Sequence, residues 1–218
     1  MTTWPAPLAT MPVRARIDAA TTLDEAAVFL AGAAVTTGTV VLRNWDALAE
    51  DPAAPVLRDL LATFGAYVVR SAEGLTCTSR STSGHLNPIS YDLSTAPGLA
   101  GVACVLAALA DGPSRLSGVP QSPRVTEVMD NLTALGGRVT MRSGVVAIVP
   151  GPLHAGAWQA HGDPVLGALG AVLGLVVPGV SIVGSPSRPA FLEAWRRAMA
   201  ADENILPGTS AGTVPYYA

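Results

Sequence analysis

The strongest constraint on this sequence is that it repeats itself. A unit of about 70 residues is used nearly three times, which restricts the chain to architectures that stack equivalent units. Three apolar, Ala- and Gly-rich helical phrases each lead into a glycine and a short β-like phrase. They are residues 24–35 with 38–44, residues 99–110 with 112–118, and residues 165–177 with 179–184. The glycines at the junctions, Gly38, Gly112 and Gly179, lie 74 and 67 residues apart.

A second half follows each phrase. Val56–Val69 reads as an amphipathic helix closed by Gly65 and followed by a strand, with a turn at Ser71–Gly74 into Leu75–Thr78. The pattern returns at Val128–Met141 with Gly136, 71 residues after Gly65, and its turn at Arg142–Gly144 leads into Val145–Val149. Phe191–Met199 begins the same helix a third time. The unit is therefore β-α-β-α-β-β, twice complete and once cut short before its last hairpin. The first helix of each unit is apolar all round and belongs inside, while the second is amphipathic and belongs outside.

These patterns predict an α/β (α+β) domain of three βαβαββ-type repeats around three buried helices. Residues 14–199 form the domain, with repeats at about 14–80, 86–151 and 155–199. Residues 1–13 read as an arm and residues 200–218 as a Gly- and Pro-rich tail.

Half of the 218 residues are apolar, 13% are charged and the net charge is −3. A chain so poor in charge hides much of itself, and it has no basic face for nucleic acid. All 13 basic residues are arginine. No lysine Schiff base, lysine acid or ammonium clamp is available from it. Cys77 and Cys104 lack any metal-ligand spacing and suit buried, reduced thiols in a cytoplasmic protein. The start of the chain has no apolar signal region. The longest apolar run, Val165–Val177, is too short to span a bilayer. No cofactor, metal or membrane partner is expected.

The repeats resemble one domain of the enolpyruvyl transferase (EPSP synthase) family, and most of all its C-terminal half. Thr22–Ala34 is similar to that family's D-x-S-S-A-x-x-F-L-A-A-A-A segment. The resemblance implies three parallel buried helices whose N-termini face a cleft between two domains. It also implies which catalytic positions have changed. The family's P-D-A-A-M turn falls on Ala96-Pro-Gly-Leu-Ala100, where Gly98 replaces the acid. Its K-E-T-D-R falls on Pro120–Arg124, leaving only Arg124. Its N-D-H-R-M-A-M falls on Gly162–Ala168, leaving only Asp163, and its late lysine falls near Pro186.

Carboxyvinyl transfer holds phosphoenolpyruvate, protonates its methylene carbon and removes a proton from the acceptor hydroxyl, using cations and paired acids. One arginine and one aspartate are a poor set for that work.

The candidate catalytic residues are Asp163 and His161. Asp163 is an acid or base at the cleft, an N-cap with Pro164 at the first helical position, or both. His161 has a side chain suited to proton transfer, or is an ordinary surface histidine. The candidate substrate-binding residues are Arg124, Gln121, Asp92, Asp24, Thr22 and Arg43. Arg124 suits a carboxylate or other anion. Asp92, Ser94 and Thr95 precede the second buried helix, and Thr21, Thr22 and Asp24 precede the first, as caps whose ends converge on one anion-attracting surface. Arg188 is a weaker candidate for the same surface, and Tyr216 and Tyr217 for covering its mouth.

Three functions compete. The first is a specialised-biosynthesis enzyme doing elimination, isomerisation or cyclisation on a small, largely apolar substrate. The second is a silent ligand- or partner-binding domain, including half of a split transferase completed by a second transferase-like chain. The third is residual carboxyvinyl transfer in a homodimer. A closed, mostly apolar pocket at the helix N-termini favours the first, and a flat face favours the second.

Overall fold

The computed structural model describes residues 14–18, 20–80, 85–184 and 189–199. The first unit runs β1 (Arg14–Ile17), α1 (Leu23–Val35), β2 (Thr39–Leu42), a one-turn α2 (Trp45–Leu48), α3 (Ala54–Thr63), β3 (Ala66–Ser71) and β4 (Gly74–Ser79). The second runs β5 (Ser90–Asp92), α4 (Ala100–Ala108), β6 (Ser114–Ser117), α5 (Pro123–Ala134), β7 (Arg138–Arg142) and β8 (Val145–Val149). The third runs β9 (Gly156–Gln159), α6 (Pro164–Gly174), β10 (Val180–Val183) and α7 (Pro189–Met199).

The units share one topology. The first sheet has the order β1-β2-β4-β3 and the second the order β5-β6-β8-β7. In each, the first pair is parallel and the other two pairs are antiparallel. The third sheet has only the parallel pair β9 and β10 among the described residues. The expected α/β class and its repeated unit are borne out. The short α2 was not foreseen: Arg43 and Asn44, read as the end of a strand phrase, lie beyond β2 and lead into this turn.

The buried helices behave as their composition requires. All nine residues of α4 are buried, as are Leu166–Gly174 of α6, and α1 is buried at all positions but Asp24 and Glu25. The three touch one another pairwise. A fully buried Val, Leu or Phe contributes roughly 1.5–3 kcal/mol, so the larger side chains of this trio add substantially to the core. Cys77 and Cys104 are buried with them, and burial pushes both thiols up to about 12.

The hairpins follow their turn chemistry. Between β7 and β8, Ser143 and Gly144 both have positive φ, 50° and 73°, with Arg142 opposite Val145. That is a two-residue turn whose backbone twist matches the strands. At Gly74, φ is 123°, and a Cβ there would lie 2.0 Å from the Leu42 carbonyl oxygen.

The units join in a ring, the outer helix of each meeting the first strand of the next. Tyr91 of β5 donates its hydroxyl to Asp59 of α3 at 2.7 Å. Asn131 of α5 exchanges two bonds with the Gln159 backbone of β9, at 2.9 and 2.7 Å. The ring closes where α7 packs on β1, with Phe191 and Trp195 against Phe29 of α1 at centroid distances of 5.0 and 5.7 Å. No described helix is long and apolar enough to cross a membrane.

Candidate active site

The N-terminal ends of α1 and α6 come together, and α5 places Arg124 between them. Arg124 Nε donates to Asp163 Oδ2 at 2.6 Å, and Nη1 donates to Asp24 Oδ2 at 3.3 Å. Each partner comes from a different unit. Asp163 is the N-cap of α6, with Pro164 behind it at N1, and its Oδ1 accepts from the amides of Val165 and Leu166 at 2.8 and 3.3 Å. Its two sequence readings, cap and cleft acid, thus meet in one carboxylate with both oxygens engaged.

Thr22 caps α1 by accepting from the Glu25 amide at 3.3 Å. Glu25 reaches back to the Thr21 amide and hydroxyl at 2.8 and 3.0 Å. This is close to a capping box, and the spacing Thr22-x-x-Glu25 carried its signal.

The electrostatics single out Asp24. Burial raises its carboxyl above the ordinary aspartate value; Arg124 pulls it down, and the charge of Asp163 pushes it up again. For Arg124, burial works against the charge, but hydrogen bonds and charges from Asp163 and Asp24 outweigh it and raise its pKa. The anion contact expected of Arg124 is therefore already made, inside the protein.

Beside this cluster lies a cavity of about 290 Å³. Thr21, Thr22, Asp24 and Glu25 form one wall, and Val28, Pro164, Val165, Ala168 and Phe191 form the apolar remainder. Phe191 was legible only as a helix residue, because no local pattern tells which side of α7 meets α1.

The other candidates lie outside this wall. His161 is exposed, has φ 45°, and places Nε2 3.2 Å from Glu127 Oε2. Glu127 was not foreseen, although it stands one helical turn beyond Arg124. Gln121 is exposed in the loop before α5. Arg43 is exposed, its Nε 3.9 Å from Asp18 Oδ1.

Asp92 and its neighbours do not cap the second buried helix as expected. A 3-10 turn at Pro97–Leu99 precedes α4, Leu99 occupies the N-cap position, and no side chain bonds there. Asp92 instead accepts from the Ser94 amide and hydroxyl, both at 3.0 Å, and these bonds hold its carboxyl below the ordinary value. The local turn wins because both acceptors are satisfied two residues away. Pro186, Arg188, Tyr216 and Tyr217 lie outside the described residues.

Two complete βαβαββ units and a third seen as βαβα among the described residues, around three buried helices with polar groups gathered at helix N-termini, define a transferase-type domain of the enolpyruvyl class. The family of EPSP synthase (3-phosphoshikimate 1-carboxyvinyltransferase) matches residues 17–187, and the chain belongs to it. A 3-phosphoshikimate 1-carboxyvinyltransferase of Kocuria rhizophila is 34% identical over 182 residues, covering 79% of this chain and 40% of the relative. One of Methanosphaerula palustris is 35% identical over 166 residues, covering 73% and 38%. The chain thus spans about two fifths of these relatives' length.

Among solved structures, an EPSP synthase from Acinetobacter baumannii matches with a TM-score of 0.66 and 24% identity, over 82% of this chain and 46% of that one. The enolpyruvyl transferase NikO from Streptomyces tendae matches with 0.55 and 19%, over 82% and 42%. Both likenesses are of fold.

Proposed function

We propose that this chain is a diverged transferase-family domain that acts as an acid–base enzyme of specialised biosynthesis on a small, largely apolar substrate. The observation that carries this reading is Asp24. It stands in the wall of a mostly apolar cavity, carries a raised pKa and keeps a guanidinium at 3.3 Å. A carboxylate accepts a proton and the acid so formed returns it, and burial shifts Asp24 toward the protonated form. In an isomerisation it removes a proton from one substrate carbon and returns it to another, while Arg124 offsets the negative charge that develops between the two steps. Asp163 holds Arg124 in place, and His161 with Glu127 flanks the cluster.

Two facts support a chemistry other than the family's own. Gly98 stands where the resembling turn carries its acid, with no atom within 4 Å of where a side chain would begin. The cations that would hold phosphoenolpyruvate reduce here to Arg124, whose charge is already paired.

The test is deuterium wash-in from heavy water, read by mass spectrometry over a panel of small cyclic ketones and enols. The expected result is incorporation by the native chain, reduced at least a hundredfold in Asp24→Asn while circular dichroism is unchanged. Full incorporation by Asp24→Asn would overturn the role of Asp24.

A second reading rests on length. A chain spanning about two fifths of its relatives and matching them as one domain suits half of a two-domain cleft. Release of phosphate from phosphoenolpyruvate only when a complementary half is added selects that reading over the first.

A further inference from the structure

The cavity beside Asp24 has a direction. Asp24 and Asp163, at the N-terminal ends of α1 and α6, are joined through Arg124. A Cβ on Gly32 would lie 3.5 Å from Leu175, the C-cap of α6. The two helices therefore run side by side in the same direction. α7 follows them: Phe191 meets Phe29 at a centroid distance of 5.0 Å, and Trp195 lies 3.5 Å from the same Gly32 position. Three helices running the same way border the cavity, so depth along it follows residue number.

Polarity changes along that direction. Thr21, Thr22, Asp24 and Glu25 belong to the cap and first turn of α1. One turn further in, the lining is Val28 of α1, Ala168 of α6 and Phe191 of α7. The steps from Asp24 to Val28 and from Pro164 to Ala168 keep each helix's contribution on one face. Beyond them, the rings of Phe29, Phe191 and Trp195 close the apolar end, with Phe191 and Trp195 stacked at 6.3 Å.

The dimensions suit a small molecule with one short tail. Four residues of helix rise about 6 Å, the reach of an extended chain of about four carbons. The volume of about 290 Å³ lies at the lower limit of ligand pockets. Of the three side chains at the apolar end, Ala168 is the smallest. It stands on a different helix from Asp24, so a longer side chain there shortens the cavity and leaves the polar end as it is.

We propose that the substrate lies along this axis, with its reacting carbonyl end at Asp24 and an alkyl tail of about four carbons reaching Val28 and Phe191, and that Ala168 sets the longest tail accepted. The end that carries the reacting group rests on the reading of Asp24 given above. The place of the tail and the role of Ala168 rest on the cavity alone. Each methylene laid on apolar surface strengthens binding about fourfold. Once the tail meets the aromatic rings, a further methylene gains nothing. Affinity therefore rises with tail length and then breaks off, and the break measures the depth.

The probes are 2-alkylcyclopentanones with tails from methyl to hexyl, titrated into the full chain and followed by methyl NMR at Thr22, Val28 and Ala168. The expected result is a Kd that falls about fourfold per methylene as far as butyl and no further at pentyl. Nuclear Overhauser contacts in the native chain should join the tail's last methyl to Ala168 and Phe191, and the ring to Thr22. Ala168→Leu should move the break back by about three carbons and the milder Ala168→Val by about two, matching the carbons each adds. Asp24→Asn should leave the break in place.

Absence of shifts at Val28 and Ala168 for every tail length would overturn the proposal. So would contacts in the opposite order, with the ring at Ala168 and the tail at Thr22, or a break that stays put in the folded Ala168 variants. Failure of deuterium wash-in with the break intact removes the catalysis assigned to Asp24 and leaves the tail site standing. Wash-in without any break does the reverse.

Discussion

Arg124 Nε and Asp163 Oδ2 lie 2.6 Å apart, joining α5 of the second unit to the cap of the third buried helix. One carboxylate thereby does two jobs that substitution can separate. Asp163→Asn keeps a cap acceptor and loses the ion pair, whereas Asp163→Ala loses both. Loss of a cap costs about 1 kcal/mol. The pair is partly exposed, so solvent screening limits its share to about 1 kcal/mol or less. Urea denaturation should rank native above Asp163→Asn above Asp163→Ala, and equal stability of the two variants would contradict the capping role.

Asp24 makes stability depend on pH in a direction opposite to most aspartates. Its folded pKa is raised above the ordinary aspartate value of 3.8, first of all by burial. The folded state therefore binds this proton more tightly than the unfolded state. The contribution is fully present below 3.8 and is lost as pH rises through the raised folded value. Asp24→Asn should flatten the stability–pH curve in that window, measured by denaturant titration at a series of pH values. A wild-type curve and a variant curve of identical shape would rule the effect out.

Two helical glycines should respond to alanine in opposite ways. A Cβ at Gly170 would lie 2.5 Å from Trp158 Cδ1, in the core, where Trp158 also donates to the Leu166 carbonyl at 2.8 Å. Gly170→Ala should cost about 1–3 kcal/mol through overpacking. A Cβ at Gly32 meets Leu175 and Trp195 at 3.5 Å, which is ordinary contact. Gly32→Ala should be neutral or stabilise by up to about 1 kcal/mol, because alanine loses less entropy in a helix. Thermal unfolding of the two variants checks the contrast.

The sequence was legible wherever a property is local. Apolar helices, amphipathic helices and turns each follow from periodicity over a dozen residues, so the units could be placed and Asp163 with Pro164 read as a helix opening. The pairings that make the site are not local. Asp24, Arg124 and Asp163 meet because the three units close around one axis, and no window of sequence spans them. The Asp92 group shows the converse: a capping-type cluster ahead of an apolar helix was read as its cap, but a nearer turn took the bonds. His161 with Glu127 was hidden for both reasons, a long-range contact made by a residue in a left-handed conformation.

The packing of α7 on β1 has a consequence for how the chain is made. The last described helix completes the shelter of the first described strand, and Phe29 stays without its aromatic partners Phe191 and Trp195 until synthesis has passed residue 195. No partial chain emerging from the ribosome holds a closed ring. Contacts so distant in sequence slow folding and leave apolar surface open to aggregation meanwhile. The same closure makes the choice of starting unit arbitrary. A circular permutant opened between the first and second units would bring α7 and β1 together during synthesis and leave α3 to find β5 last.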